Sequence, residues 1–145
     1  KMAASPHIAA GEEAIHIDIG EICKAQPQKA RPLVIEGAGG LLVPLNEKEF
    51  VIDLIKALEC PVILVSRNYL GSINHSLLTA RVCKEAGLNV AGWIFNDRYQ
   101  NYEEEITRWS GYPRIASIPK AESINKAFIT TQAALLKETL LQNLC

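Results

Sequence analysis

Four short, uniformly apolar runs set the terms on which this chain can fold: Leu33-Val34-Ile35, Pro61–Ser66, Val90–Phe95 and Ile115–Ile118. None is long enough for an amphipathic helix, and none alternates as a strand with one wet face does. They read as strands of a parallel sheet covered on both faces. The segments between them have helical spacing. Glu49–Leu58 places Val51, Leu54, Ile55 and Leu58 together; Ser72–Ala86 places Ile73, Leu77, Ala80 and Cys83 on one side and stops at Gly87. Tyr102–Trp109 reads as a short helix, and Ile124–Leu141 as a long amphipathic one. Strands alternating with helices imply right-handed parallel crossovers. The first thirty residues differ. Asp18 and Glu21 predict a capped short helix that reaches Gln26 and ends at Pro27, while Ala4-Ser5-Pro6-His7 reads as a loop.

A chain of 145 residues that is 48% hydrophobic and 21% charged can bury a core, and one α/β domain over 1–145 is expected. Fifteen basic and sixteen acidic residues leave a net charge of −1 with no basic block, so no nucleic-acid partner is expected. No run is long enough to span a membrane and no signal peptide stands at Lys1, which points to a cytoplasmic protein without a membrane partner. Cys23, Cys60, Cys83 and Cys145 form no CxxC pair, so reduced thiols are expected, with Cys60 and Cys83 as small core residues. Trp93 reads as core, and Trp109 and Tyr112, flanking Gly111, as surface or lid residues.

The chemistry is concentrated where the apolar runs stop. Leu33–Ile35 runs into Glu36 and then into Gly37-Ala38-Gly39-Gly40. Ligands of open α/β sheets bind at the carboxyl ends of strands. A glycine-rich backbone can approach a phosphate, and a carboxylate beside it suits Mg²⁺. The same residues also fit a tight turn with a solvated Glu, and GxGG is too short to choose. Asn96, at the end of the third run, reads by itself as a strand-end turn former. Asp97 could cap the segment that follows. Gly71-Ser72-Ile73-Asn74 opens a helix whose free N–H groups suit a carboxylate, with Ser72 equally readable as a plain N-cap. No GxxxxGK[ST] phosphate loop is present, so either the chain lacks its N-terminal third or it is not a complete nucleotide enzyme.

Taken together, these stretches resemble the dethiobiotin synthetases. Ser5-Pro6-His7 is similar to that family's (S/A)PH segment, and Glu36–Gly40 with Val43-Pro44-Leu45 to its EGAGG…(V/T)PL signature. Pro61–Val65, Leu70–His75 and Leu78–Ala80 resemble PVILV…LGxINHxLLTA, and Ala91–Asp97 resembles AGWxxN. Beyond Asp97 the likeness rests mainly on Ile118-Pro119.

The resemblance implies a P-loop NTPase-like α/β fold, a parallel sheet flanked by helices, incomplete at the N-terminus and working as a homodimer. It implies an ATP- and Mg²⁺-dependent ligase that closes the ureido ring of dethiobiotin from 7,8-diaminopelargonic acid and CO₂. A carbamate would attack the γ-phosphate of ATP, and the second amine would then displace phosphate. Such chemistry needs alignment and charge neutralisation more than covalent help. By this likeness Glu36 is the metal ligand, and Glu36, Gly37, Ala38 and Gly39 line the phosphates. Asn96 and Asp97 read the base, covered by Pro119, Lys120 and Ala121, although Lys120 reads equally as a solvated charge. Ser5, Pro6, Val43 and Pro44 border the diamine. Tyr69, Leu70, Gly71, Ser72 and Asn74 hold the substrate's carboxylate tail from the neighbouring subunit, with Tyr69 where some members have a basic residue. His75 is expected to be structural or at an interface. The catalytic lysines would lie upstream, so no catalytic residue is assignable in this chain. Two rivals stand beside this reading: a truncated, inactive relative that binds or dimerises, and another member of the same NTPase superclass, such as a cobyrinic-acid amidase-like domain or a partition ATPase. On this reading the 145 residues alone would leave an apolar sheet edge open and aggregate.

Overall fold

A computed structural model of the chain describes residues 3–27 and 33–144; Lys1 and Cys145, named above, lie outside the described residues. The chain forms two compact units, residues 1–60 and 61–145.

The first unit begins with a helix where a loop is expected. α1 covers Pro6–Glu12. Proline at the first helical position has its φ preset and no donor to lose, and the amides of Ile8 and Ala9 both bond to the Ser5 carbonyl at 3.0 Å. Nothing in α1 is buried. α2 (Ile19–Lys24) starts as expected, with the Asp18 carboxylate accepting from the Glu21 amide at 2.9 Å. α3 (Val51–Leu58) opens where the Asp53 carboxylate accepts from the Phe50 amide at 2.9 Å. Ile19, Leu45 and Val51 form a small core, and Ile17, Cys23, Val43, Leu54 and Ile55 pack around it. Asn46 closes the loop before α3. Its amide nitrogen donates to the Ile17 carbonyl (2.9 Å) and to Glu49 (2.6 Å), and its oxygen accepts from the amides of Lys48 and Glu49.

Leu33–Glu36 is not a strand. These residues are exposed, with Val34 at 91%, and carry no ladder. A strand exists only through a neighbour's backbone groups. Among the described residues of this unit the one pairing is an isolated bridge between Pro44 and Phe50.

The second unit is an α/β fold. β1 (Val62–Arg67), α4 (Ser72–Glu85), β2 (Val90–Asn96), α5 (Tyr102–Ser110), β3 (Arg114–Ile118) and α6 (Lys126–Leu144) follow in order. The strands pair in parallel in the order β1-β2-β3. Trp93, Phe95, Ile106 and Cys83 are the largest fully buried apolar side chains. Trp93 donates its indole N–H to Ser110 of α5 at 3.0 Å. Gly92 is fixed by both backbone and space: its φ is +150°, and a Cβ there would stand 2.5 Å from the Pro113 carbonyl oxygen.

The buried stripe of α4 is Ser72, Ser76, Ala80 and Cys83, while Ile73 and Leu77 are only half-buried. Small residues bring α4 close to β1, where the hydroxyls of Ser66 and Ser76 bond at 2.8 Å. Burial raises the Cys83 thiol above its ordinary range, and desolvation, then Cys83 itself, raises the Tyr112 hydroxyl. Cys60, expected in the core, is exposed just past the left-handed C-cap Glu59 of α3. Trp109 is exposed as expected and stacks under Arg108. The amphipathic expectation for α6 fails. Its apolar residues come in adjacent pairs, Phe128-Ile129, Leu135-Leu136 and Leu140-Leu141, so one of each pair turns away. Ile129, Leu135 and Leu141 are exposed.

Candidate functional site

The carboxyl ends of the three strands line up. Arg67, Asn96 and Ile118 are register partners across the sheet. The pairing continues one residue further: the Asn68 amide donates to the Asn96 carbonyl at 2.8 Å, and the Asp97 amide to the Ile118 carbonyl at 3.1 Å. Asp97 then takes φ +60°, a conformation that Asp adopts more readily than most residues. Its carboxylate accepts from Arg67 Nε at 2.9 Å. Asn96 is half-buried, and its amide has no partner among the described residues. This is the edge at which parallel α/β sheets bind ligands.

A cleft of about 290 Å³ opens at this edge, and Asp97, Arg98, Glu103, Arg114, Ser117 and Pro119 contribute to its wall. Asp97 and Pro119, named from sequence, are brought together there. Lys120 is exposed and Ala121 half-buried, and neither lines the cleft. Sequence reading missed Asn68, Glu103, Arg114 and Ser117. Asn68 Nδ2 donates to the Asp97 carbonyl (2.9 Å) and to Glu103 (3.2 Å). Glu103 also accepts from the Ser117 hydroxyl and, at 3.3 Å, from Arg114.

One residue past Asn68 the chain turns into α4. Gly71 is the N-cap, at φ +100°, so the cap is not Ser72. The Ser72 hydroxyl is buried and accepts from the Tyr69 amide at 3.3 Å. Tyr69, Leu70 and Asn74 face outward, and the Tyr69 hydroxyl bonds His75 Nδ1 at 2.5 Å. This turn exposes an apolar side chain, a hydroxyl and an amide beside a helix N-terminus, a set able to take a carboxylate with a hydrocarbon tail.

In the other unit, Glu36 and Gly37 are exposed and irregular and lead into an exposed bend at Ala38, Gly39 and Gly40. Gly39 has φ +85°, and a Cβ on it would meet Val43 at 2.9 Å; one on Gly37 would meet Val51 at 3.1 Å. Val43 and Pro44 are half-buried; Val43 packs on the small core and Pro44 makes the bridge to Phe50. Ser5 and Pro6 start α1. Among the described residues no three His, Cys, Asp or Glu side chains gather into a metal cage. Magnesium held jointly with phosphates needs only one or two protein carboxylates, and exposed Glu36 fits as one such oxygen donor. No helix among the described residues is long and apolar enough to cross a membrane.

Residues 1–127 match the family described as AAA domain. The chain is 42% identical over 137 residues to the ATP-dependent dethiobiotin synthetase BioD of Cytophaga hutchinsonii, covering 94% of this chain and 66% of that protein. It is 39% identical over 134 residues to the protein of the same name from Afipia carboxidovorans, covering 88% and 63%. With that of Christiangramia forsetii it shares 49% identity over 105 residues, covering 72% and 49%. The chain thus spans about half to two thirds of the length of these relatives. The family match over most of the chain and the parallel α/β sheet agree: the chain belongs to the AAA domain family, a P-loop NTPase-type fold, and within it is similar to the dethiobiotin synthetases.

Proposed function

We propose that this chain is the larger part of an ATP- and Mg²⁺-dependent dethiobiotin synthetase that works on 7,8-diaminopelargonic acid and CO₂ as a homodimer in the cytoplasm, its two units belonging to one α/β domain. The observation that carries the reading is the strand edge: Asn96 ends a parallel strand with its side-chain amide unpartnered among the described residues, beside a cleft walled by Asp97 and Pro119. A free amide at that edge presents a donor and an acceptor to one side of adenine. Pro119, Lys120 and Ala121 follow β3 and would cover the base.

Glu36 would hold Mg²⁺ through a carboxylate oxygen, and the ion would supply charge neutralisation at the phosphates. The Gly37-Ala38-Gly39 backbone, with Gly39 at φ +85°, would lie along those phosphates without side chains to fend them off. Ser5, Pro6, Val43 and Pro44 would border the diamine. Gly71, Ser72 and the exposed Tyr69, Leu70 and Asn74 would seat the carboxylate tail of the substrate bound by the other subunit. Tyr69, where the resemblance puts a basic residue in some members, would offer a hydroxyl already tied to His75. The protein's part would be alignment, holding the attacking carbamate oxygen in line with the γ-phosphate.

The test is direct. Full-length protein incubated with diaminopelargonate, bicarbonate and Mg-ATP should release ADP and form dethiobiotin in equal amounts. Absence of dethiobiotin with native, folded protein would sink the reading.

A further inference from the structure

The cleft wall contains a carboxylate that the chemistry above does not use. Glu103 lies in the first turn of α5, in the acidic run Glu103-Glu104-Glu105. Its side chain is only 12% exposed, unlike a solvated charge. One carboxylate oxygen accepts from Asn68 Nδ2 and from the Ser117 hydroxyl, and the other from Arg114. It therefore joins the residue after β1 to two positions of β3.

Asn68 is the informative partner. It is 5% exposed, and both Nδ2 hydrogens have acceptors: the Asp97 carbonyl and Glu103. Its oxygen is buried without a partner among the described residues. A flipped amide would turn that oxygen toward two acceptors, so Glu103 and the Asp97 carbonyl together dictate which way the amide points. The backbone held in this manner is Asp97 at φ +60°, directly after Asn96.

We propose that Glu103 is a positioning residue for base selection: through Asn68 it fixes the Asp97 backbone, and with it the direction in which the Asn96 side chain leaves the strand toward the nucleotide. This rests on the reading above that Asn96 meets the base. Adenine and guanine differ at position 6, an amino donor in one and a carbonyl acceptor in the other, so a side chain placed at a fixed distance from that position separates them better than one that drifts.

The experiment uses the full-length protein and its Glu103→Ala, Glu103→Gln and Asn68→Ala variants. Turnover is measured with ATP and with GTP, and dissociation constants for both nucleotides are measured by calorimetry. Losing a hydrogen bond to a charged group corresponds to roughly a tenfold change or more. For Glu103→Ala, KM for ATP should rise about tenfold with kcat within about twofold, and the ATP-over-GTP preference should fall by a similar factor. Glu103→Gln should fall between, since its amide oxygen still accepts from Asn68 or Ser117. Asn68→Ala should match Glu103→Ala, and the double variant should add little. If Glu103→Ala does not fold, Glu103→Gln and Asn68→Ala carry the same comparison. An unchanged ATP-over-GTP ratio overturns the proposal even where thermal stability falls, as does a loss confined to kcat. If wild-type protein makes no dethiobiotin, the enzymatic reading fails, and the two nucleotide affinities still decide the role of Glu103. Wild-type protein that binds neither nucleotide overturns both.

Discussion

At the scale of single residues, Gly92 has the least freedom. An alanine there would carry its methyl to within 2.5 Å of the Pro113 oxygen, which is backbone and cannot swing aside, and would hold an L residue at φ +150°. Both faults act in the folded state, so Gly92→Ala should destabilise the protein by about 3 kcal/mol or more. Urea unfolding followed by circular dichroism checks this, and an unchanged midpoint would refute it. The Asn96–Asp97 pair at the carboxyl edge of the sheet was legible as a strand end because an amide and an acid stop an apolar run. Glu103 was not. Within Tyr102-Glu103-Glu104-Glu105 it looks like any surface charge, and what distinguishes it, the reach of Asn68, Arg114 and Ser117, comes from residues 11 to 35 positions away.

Elements show a parallel division. β1, β2, β3, α3, α4 and α5 were readable within one or two residues, because apolar spacing reports which side of an element is dry. The Leu33–Ile35 run is as apolar as Val62–Val65 of β1 yet is no strand, since pairing is a property of two segments and composition of one. α1 was hidden because Ser-Pro marks a loop as readily as a helix start. The face of α4 is only partly that of Ile73, Leu77, Ala80 and Cys83: Ala80 and Cys83 are buried, while Ser72 and Ser76 take the places of Ile73 and Leu77. The buried positions are small so that helix and sheet can approach, and the Ser66–Ser76 hydroxyl pair lies in that seam. Removing one hydroxyl leaves the other buried and unpaired, at a cost of about 1–3 kcal/mol, whereas removing both removes the need. Ser66→Ala and Ser76→Ala should therefore each lower stability by more than the double variant's loss would predict by addition. A double-mutant cycle of unfolding free energies checks the sign of that coupling; strict additivity would deny it.

For the molecule as a whole, burial of Cys83 ties stability to pH. The folded thiol ionises above the ordinary value of 9.0, since burial disfavours the thiolate, while the unfolded thiol ionises near it. The unfolded chain thus loses its proton first, and stability present below pH 9 declines as pH rises through the folded value. Cys83→Ala should flatten this part of the profile, read as the urea midpoint between about pH 8 and pH 10.5. An identical slope in both proteins would exclude Cys83 as its source.

The clasp around Glu103 also bears on inheritance and transplantation. Asn68, Asp97, Glu103, Arg114 and Ser117 arise from a loop after each of two strands, a helix and a third strand, spread over fifty positions. No short peptide contains the clasp, and no single loop exchange can move it. A graft of this edge onto another scaffold would have to carry β1 through β3 entire, and drift at any one of its positions is answerable to the other four.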